Sequence, residues 1–160
     1  RLPNILTPPA MTQQRIALFA GSFDPFTIGH KSIVDRGLQL FDGIVIAIGI
    51  NPAKKPWQPL EQRIALLEKI YADDSRIKIA TFSGLTVDAA RRFGASFLLR
   101  GVRTVADFEY ERQLADINRN LSGIESVLIY ALPQLASLSS SAVRELASHG
   151  VDISPYVPTI

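Results

Sequence analysis

The stretch AGSFDPFTIGH, residues 20–30, decides the fold, because it sets turn formers, hydroxyls and a histidine between two apolar runs. Before it stands RIALFA, residues 15–20, in which apolar residues run almost unbroken and turn formers follow at once, the pattern of a buried strand. After it, Ile33, Val34, Leu38 and Phe41 recur at helical spacing. The segment is therefore a strand-to-helix turn. In an open α/β sheet such a turn lies at the carboxyl end of a strand, where ligands bind, and the helix behind it offers unpaired N–H groups and a positive dipole end. Gly21 permits close backbone approach or a positive φ, Asp24-Pro25 sets a turn, and Thr27 is placed to cap the helix. With Thr27 as cap, His30 falls at the third helical position, where the dipole disfavours imidazolium and leaves a neutral ring able to donate one N–H to a phosphate oxygen.

Working outward, apolar β-branched runs recur at 15–20, 43–50, 76–82, 96–101 and 126–132, separated by segments of helical period at 31–41, 60–72, 85–93 and 105–121, with a last helix over 141–149. Strand and helix alternate throughout. That argues a parallel sheet flanked by helices on both faces, in one doubly wound α/β domain. Arg1 to Ala10, rich in proline and small polar residues, reads as a remnant ahead of a natural start at Met11, so the domain is expected over 11–160. Seventeen basic against fifteen acidic residues leave a net charge of +2, too balanced to announce a nucleic-acid or membrane-surface partner. With no cysteine, disulfides, thiolate metal sites and thiol nucleophiles are excluded, which fits a cytoplasmic protein. No apolar run approaches the roughly 20 residues of a membrane span.

Three further stretches carry chemistry. NPAKKPW, residues 51–57, follows the second strand and brings Lys54 and Lys55 to the same sheet edge as His30, as solvated cations or as phosphate ligands. In LLRGVRTVADFEYERQLADINRNL, residues 98–121, Arg100 and Arg103 stand at the carboxyl end of an apolar strand, where a charged fork needs a partner, and phosphate suits it. The next helix lines up Glu111, Ala115 and Asn118 at i, i+4, i+7, a polar stripe that serves equally as an internal Arg–Glu pair or as a ligand-facing surface. Finally, Ser139, Ser140 and Ser141 run into the last helix, so their hydroxyls and its N–H groups form a second anion cradle. A strict capping box is absent there if Ser141 caps, since Arg144 stands third after it.

Gly21-Ser22-Phe23-Asp24-Pro25 with Thr27 and Gly29-His30 resembles the (T/S)-x-x-x-G-H signature of the nucleotidyltransferase superfamily, whose fold is a Rossmann-like α/β sheet. The segment R-G-V-R-T-V-A-D-F-E-Y-E with Asn118 downstream, and S-S-S-x-V-R-E at 139–145, narrow the resemblance to the phosphopantetheine adenylyltransferases. It runs from about Arg15 to Pro158. It implies adenylyl transfer from ATP to 4′-phosphopantetheine, giving dephospho-coenzyme A and pyrophosphate, the penultimate step of coenzyme A synthesis. It further implies His30 on the α-phosphate, Ser22 and Lys54 on the phosphates either side of the attack line, and Arg103 with Ser139–Ser141 on the ATP polyphosphate. Phe23 and Gly101 would complete the ATP site, and Glu111 would take the ribose. Arg100 would bind the acceptor phosphate, while Leu85, Thr86 and Asn118 hold the pantetheine arm. Mg²⁺ would arrive on the ATP phosphates rather than in a site made of protein ligands. A homohexamer is implied too, with coenzyme A a candidate feedback ligand. Two positions depart from the family pattern: Ser22 stands where many members carry threonine, and Gly84 where some carry an acidic residue.

Overall fold

The computed structural model describes residues 13–160; Arg1 to Ala10, read above as a remnant, lie outside the described residues. Five strands, β1 (Ile16–Gly21), β2 (Gly43–Gly49), β3 (Ile77–Phe82), β4 (Phe97–Val102) and β5 (Glu125–Tyr130), alternate with α1 (Ile28–Gly37), α2 (Leu60–Ile70), α3 (Thr86–Arg92), α4 (Val105–Ser122) and α5 (Ser140–Ser148). Each element lies within a few residues of its sequence expectation. Short 3₁₀ turns at Pro133–Leu135 and Ser154–Tyr156, each with a proline in its first turn, complete the chain.

All strand pairs are parallel and the order is β3-β2-β1-β4-β5. The chain winds outward from β1 through β2 and β3, then returns to the other side of β1 for β4 and β5. The order therefore reverses between β1 and β4, and a crevice opens beyond their carboxyl ends. Two-sided burial explains the unbroken apolar strands. On one face Ala17, Phe19, Ile44, Ile46, Ile48 and Leu99 pack with Ile33 and Val34 of α1 and Leu67 of α2. On the other, Leu18, Ala20, Val45, Ala47 and Leu98 pack with Val87, Ala89 and Ala90 of α3. Each large apolar side chain so buried contributes about 1.5–3 kcal/mol, which fixes the strand ends that carry the site.

Candidate active site

The β1–α1 turn is held from both ends. At its helical end Thr27 caps α1 in an extended conformation, and His30 closes a reciprocal box: the Thr27 hydroxyl accepts from the His30 N–H at 3.3 Å while His30 Nδ1 accepts from the Thr27 N–H at 3.0 Å. Because Nδ1 is an acceptor, the proton of the neutral ring resides on Nε2. The ring stacks on Phe26, with Phe23 edge-on to it and Phe19 beside it. Burial, and then the charges of Arg103 and Arg100, lower its pKa from 6.5 to about 4. His30 is thus a neutral donor.

At the strand end, Phe23 takes a φ of 47°, the left-handed region that L residues occupy at a cost. The positive φ was open for Gly21; it falls instead on Phe23, and Gly21 supplies the close approach, since a Cβ there would meet the Phe23 ring at 3.1 Å. Three side chains from two helices hold the strained turn by its carbonyls. Arg63 of α2 donates to Ser22 O at 2.7 Å, Arg144 of α5 to Asp24 O at 2.7 Å, and the Ser140 hydroxyl to Pro25 O at 2.8 Å. The buried Asp24 carboxylate accepts the backbone N–H groups of Trp57 and Gln58 at 2.7 and 2.8 Å. It ties the Lys54 loop to the turn.

These contacts enclose two adjoining cavities at the switch point. A cleft of 420 Å³ is lined by Phe19–Phe23, His30, Arg100, Gly101, Arg103, Ser139, Ser140, Ser141 and Arg144. A more open cavity of 850 Å³ lies between the Lys54 loop and α5, lined by Ser22, Asp24, Lys54, Lys55, Arg63, Ser141, Arg144 and Glu145 among others. Ser22, Ser141 and Arg144 border both, so a ligand spanning the two passes these residues.

The cradle at α5 differs in detail from its expectation. The cap is Ser139, not Ser141, and its hydroxyl accepts from Ala142 N at 3.0 Å. Ser141 Oγ accepts from Arg144 at 3.1 Å, so all three serine hydroxyls already have protein partners. What the cradle offers an anion is the N–H groups of Ser140 and Ser141, which begin the helix and have no intrahelical acceptor.

Arg100 lies within β4 rather than at its end. It grips Glu111 of α4 through Nε at 3.0 Å and Nη2 at 2.7 Å, and donates through Nη1 to Ala20 O at 2.7 Å. Glu111 is only 6% exposed. Of the two uses its helical spacing left open, the internal pair is formed, and the two remaining Arg100 N–H groups lie at the cleft wall. Arg103 follows β4 and pairs loosely with Asp107 at 3.5 Å. Leu85, Thr86 and Asn118 lie outside both cavities: Leu85 is the exposed N-cap of α3, Thr86 its first residue, and Asn118 accepts from Ser122 through its backbone carbonyl at 2.6 Å.

Sequence reading missed Arg63 and gave Asp24 only a turn. Arg63 carried a signal: it stands three residues after Leu60 and four before Leu67, inside the apolar stripe of its helix. Among the described residues no group of His, Cys, Asp and Glu is assembled that could hold a metal ion, and no helix is long and apolar enough to cross a membrane.

A neutral imidazole donor, a guanidinium and a helix N-terminus converging at the switch point of a parallel sheet define a nucleotidyl-transfer site. Residues 18–146 match the cytidylyltransferase-like family. The chain belongs to that family and, within it, to the phosphopantetheine adenylyltransferases. It is 53% identical over 144 residues to the phosphopantetheine adenylyltransferase of Phocaeicola vulgatus, covering 90% of this chain and 95% of that one. With the Porphyromonas gingivalis enzyme of the same name it shares 52% over 146 residues, 91% of this chain and 95% of the other. Among solved structures, the Plasmodium falciparum nicotinic acid mononucleotide adenylyltransferase complexed with NaAD superposes with a TM-score of 0.62 at 18% identity, covering 91% of each chain. A bifunctional NMN adenylyltransferase/ADP ribose pyrophosphatase from Francisella tularensis gives 0.67 at 17%, over 91% of this chain and 45% of that one. At such identities the likeness shows the fold.

Proposed function

We propose that the chain transfers the adenylyl group of ATP to 4′-phosphopantetheine, releasing pyrophosphate and giving dephospho-coenzyme A. The observation that carries this reading is His30: its Nε2 is the one protonated ring nitrogen, and the ring lines a cleft whose walls are Arg103 and the α5 N-terminus. The relatives' shared name supplies the acceptor.

The acceptor phosphate is an anionic nucleophile at neutral pH, so the reaction needs positioning and charge stabilisation rather than a general base. His30 donates to the α-phosphate as charge accumulates there. Arg103 and the Ser140 and Ser141 N–H groups take the leaving pyrophosphate, with Phe23 and Gly101 lining the same ATP cleft. Lys54, which joins none of the ion pairs among the described residues, reaches the acceptor side from the adjoining cavity, where Ser22 faces both phosphates. Arg100 offers its two remaining N–H groups to the acceptor phosphate, and Glu111, given to the ribose by the family resemblance, acts first as the clamp on Arg100. Leu85 and Thr86, at the start of α3, and Asn118 on α4, which line neither cavity, are given the pantetheine arm by the family resemblance alone. Mg²⁺ enters as part of the MgATP substrate, on phosphate and water oxygens. Exposed apolar residues along α4, among them Val105, Phe108, Tyr110, Ile117 and Leu121, support self-association, for which the family resemblance suggests a homohexamer. A cysteine-free composition supports a cytoplasmic setting, and coenzyme A, which contains the product, is the feedback ligand to try.

The test supplies MgATP with 4′-phosphopantetheine or with nicotinate mononucleotide and follows pyrophosphate. Turnover with phosphopantetheine alone is expected; turnover only with the mononucleotide assigns the sister activity. ATP binding without turnover on either acceptor would leave a nucleotide-sensing domain.

A further inference from the structure

Arg63 has an unusual standing for a charged side chain. It is 7% exposed, projects from the apolar stripe of α2, and enters none of the ion pairs among the described residues. Its Nη1 donates to Ser22 O at 2.7 Å, its Nε is buried with no hydrogen-bond partner, and its side chain borders the cavity that also holds Lys54, Lys55 and Arg144. Two acidic residues line that cavity, Asp24, which accepts from the Trp57 and Gln58 N–H groups, and Glu145, which pairs with His149, and neither makes an ion pair with Arg63. A buried guanidinium without a carboxylate is costly unless an anion arrives to balance it. Retaining one here makes sense if the anion is a substrate.

We propose that Arg63 is a positioning residue for adenylyl transfer: through the Ser22 carbonyl it fixes the strained Ser22–Phe23 turn, and its guanidinium, free of any ion pair among the described residues, underlies the phosphates that Ser22 and Lys54 receive. This rests on the reading of the site as an adenylyltransferase. Ser22 borders both cavities, so a shift of its peptide displaces the donor common to the two substrates. Phe23, held at positive φ next to it, has the least tolerance for losing that anchor.

The experiment uses the full chain and compares Arg63→Met, Arg63→Ala and Arg63→Lys with the wild type. Calorimetric titration with MgATP reads binding independently of turnover, and steady-state rates follow with both acceptors. With far-UV circular dichroism unchanged, Arg63→Met is expected to bind MgATP about tenfold more weakly, the scale of one lost charge-assisted bond, and to turn over about 10²-fold more slowly. Non-denaturing guanidinium, but not an equal concentration of sodium chloride, added to Arg63→Ala should restore part of both at unchanged Tm, whereas a merely structural role would raise Tm in step with activity. Wild-type affinity and rate in folded Arg63→Met, or a loss that guanidinium leaves untouched, overturns the proposal. Should the methionine and alanine variants fail to fold, Arg63→Lys decides: charge without the planar fork should give weakened binding, and wild-type behaviour would remove the positioning role. If the wild type binds MgATP but adenylates neither acceptor, the functional reading fails while the titration still judges Arg63.

Discussion

Thr27 and His30 hold each other in one arrangement: the backbone N–H of each is accepted by the side chain of the other, at 3.0 and 3.3 Å. A helix cap and the ring tautomer are thereby set by the same pair of bonds, and Nε2 is left as the donor. His30→Ala should lower kcat by about 10²-fold or more, the cost of losing a preorganised donor, with a smaller effect on ATP affinity. Steady-state kinetics with calorimetric ATP titration checks this, and an unchanged kcat would remove His30 from the catalytic role.

The same residue predicts how stability depends on pH. Its folded pKa of about 4 lies below the ordinary 6.5, so between these values the unfolded chain binds more protons than the folded one. Stability from this group is therefore complete above pH 6.5 and is lost as pH falls toward 4, by about 3 kcal/mol in all. Denaturant unfolding at pH 7 and pH 4.5 should show His30→Gln losing less stability than the wild type over that interval. Parallel losses in the two proteins would mean that the ring is not held neutral.

Asp24→Asn should cost stability and loosen the acceptor side together. An amide can present an oxygen to only one of the Trp57 and Gln58 N–H groups and turns its NH₂ toward the other. The buried mismatch costs about 1–3 kcal/mol, and at this chain length each kcal/mol lowers Tm by about 2–4 °C. Since the released loop carries Lys54, KM for phosphopantetheine should rise more than KM for ATP. A variant with lowered Tm and both KM values unchanged would confine Asp24 to stability.

How far the sequence foretold this site depends on the range of the contacts. The alternating elements, the Thr27 cap and the place of His30 were legible because each rests on spacing within a few residues. Asp24 meets Trp57 and Gln58 across 33 and 34 residues, Arg63 meets Ser22 across 41, and Arg144 meets Asp24 across 120. No local periodicity encodes such pairings, although Arg63 betrayed itself as a charge in an apolar stripe. Between these extremes stand Arg100 and Glu111, eleven residues apart: the spacing brought them near and could not say whether they would face a ligand or each other.

Glu111→Gln separates those two uses. Replacing the buried carboxylate weakens its bidentate pair with Arg100, which should lower stability by about 1–3 kcal/mol and free Arg100 to move. A clamp that sets Arg100 changes the affinity for 4′-phosphopantetheine, whose phosphate Arg100 receives. A ribose acceptor changes ATP alone, because phosphopantetheine has no ribose. The buried pair with Arg100 favours an effect on phosphopantetheine, and calorimetric titration of each ligand on the folded variant decides between the clamp and the ribose contact.

The reaction path follows from the nucleophiles that are present. The chain has no cysteine, His30 spends Nδ1 on the Thr27 N–H and carries its proton on Nε2, and the acceptor brings its own anionic oxygen. To attack phosphorus, His30 would have to expose an unprotonated nitrogen to the cleft, which means reversing the tautomer and giving up the capping box. A covalent adenylyl-enzyme would add that cost without easing either half of the reaction. Transfer should therefore be a single in-line displacement from the acceptor phosphate onto the α-phosphorus, with the pyrophosphate leaving toward Arg103 and the α5 N-terminus. ATP made chiral at the α-phosphorus should give product of inverted configuration, and enzyme mixed with MgATP alone should release no stoichiometric pyrophosphate. Retention of configuration, or one pyrophosphate per site before any acceptor is added, would show an enzyme nucleophile and would require the His30 ring to leave its bond with Thr27 during turnover.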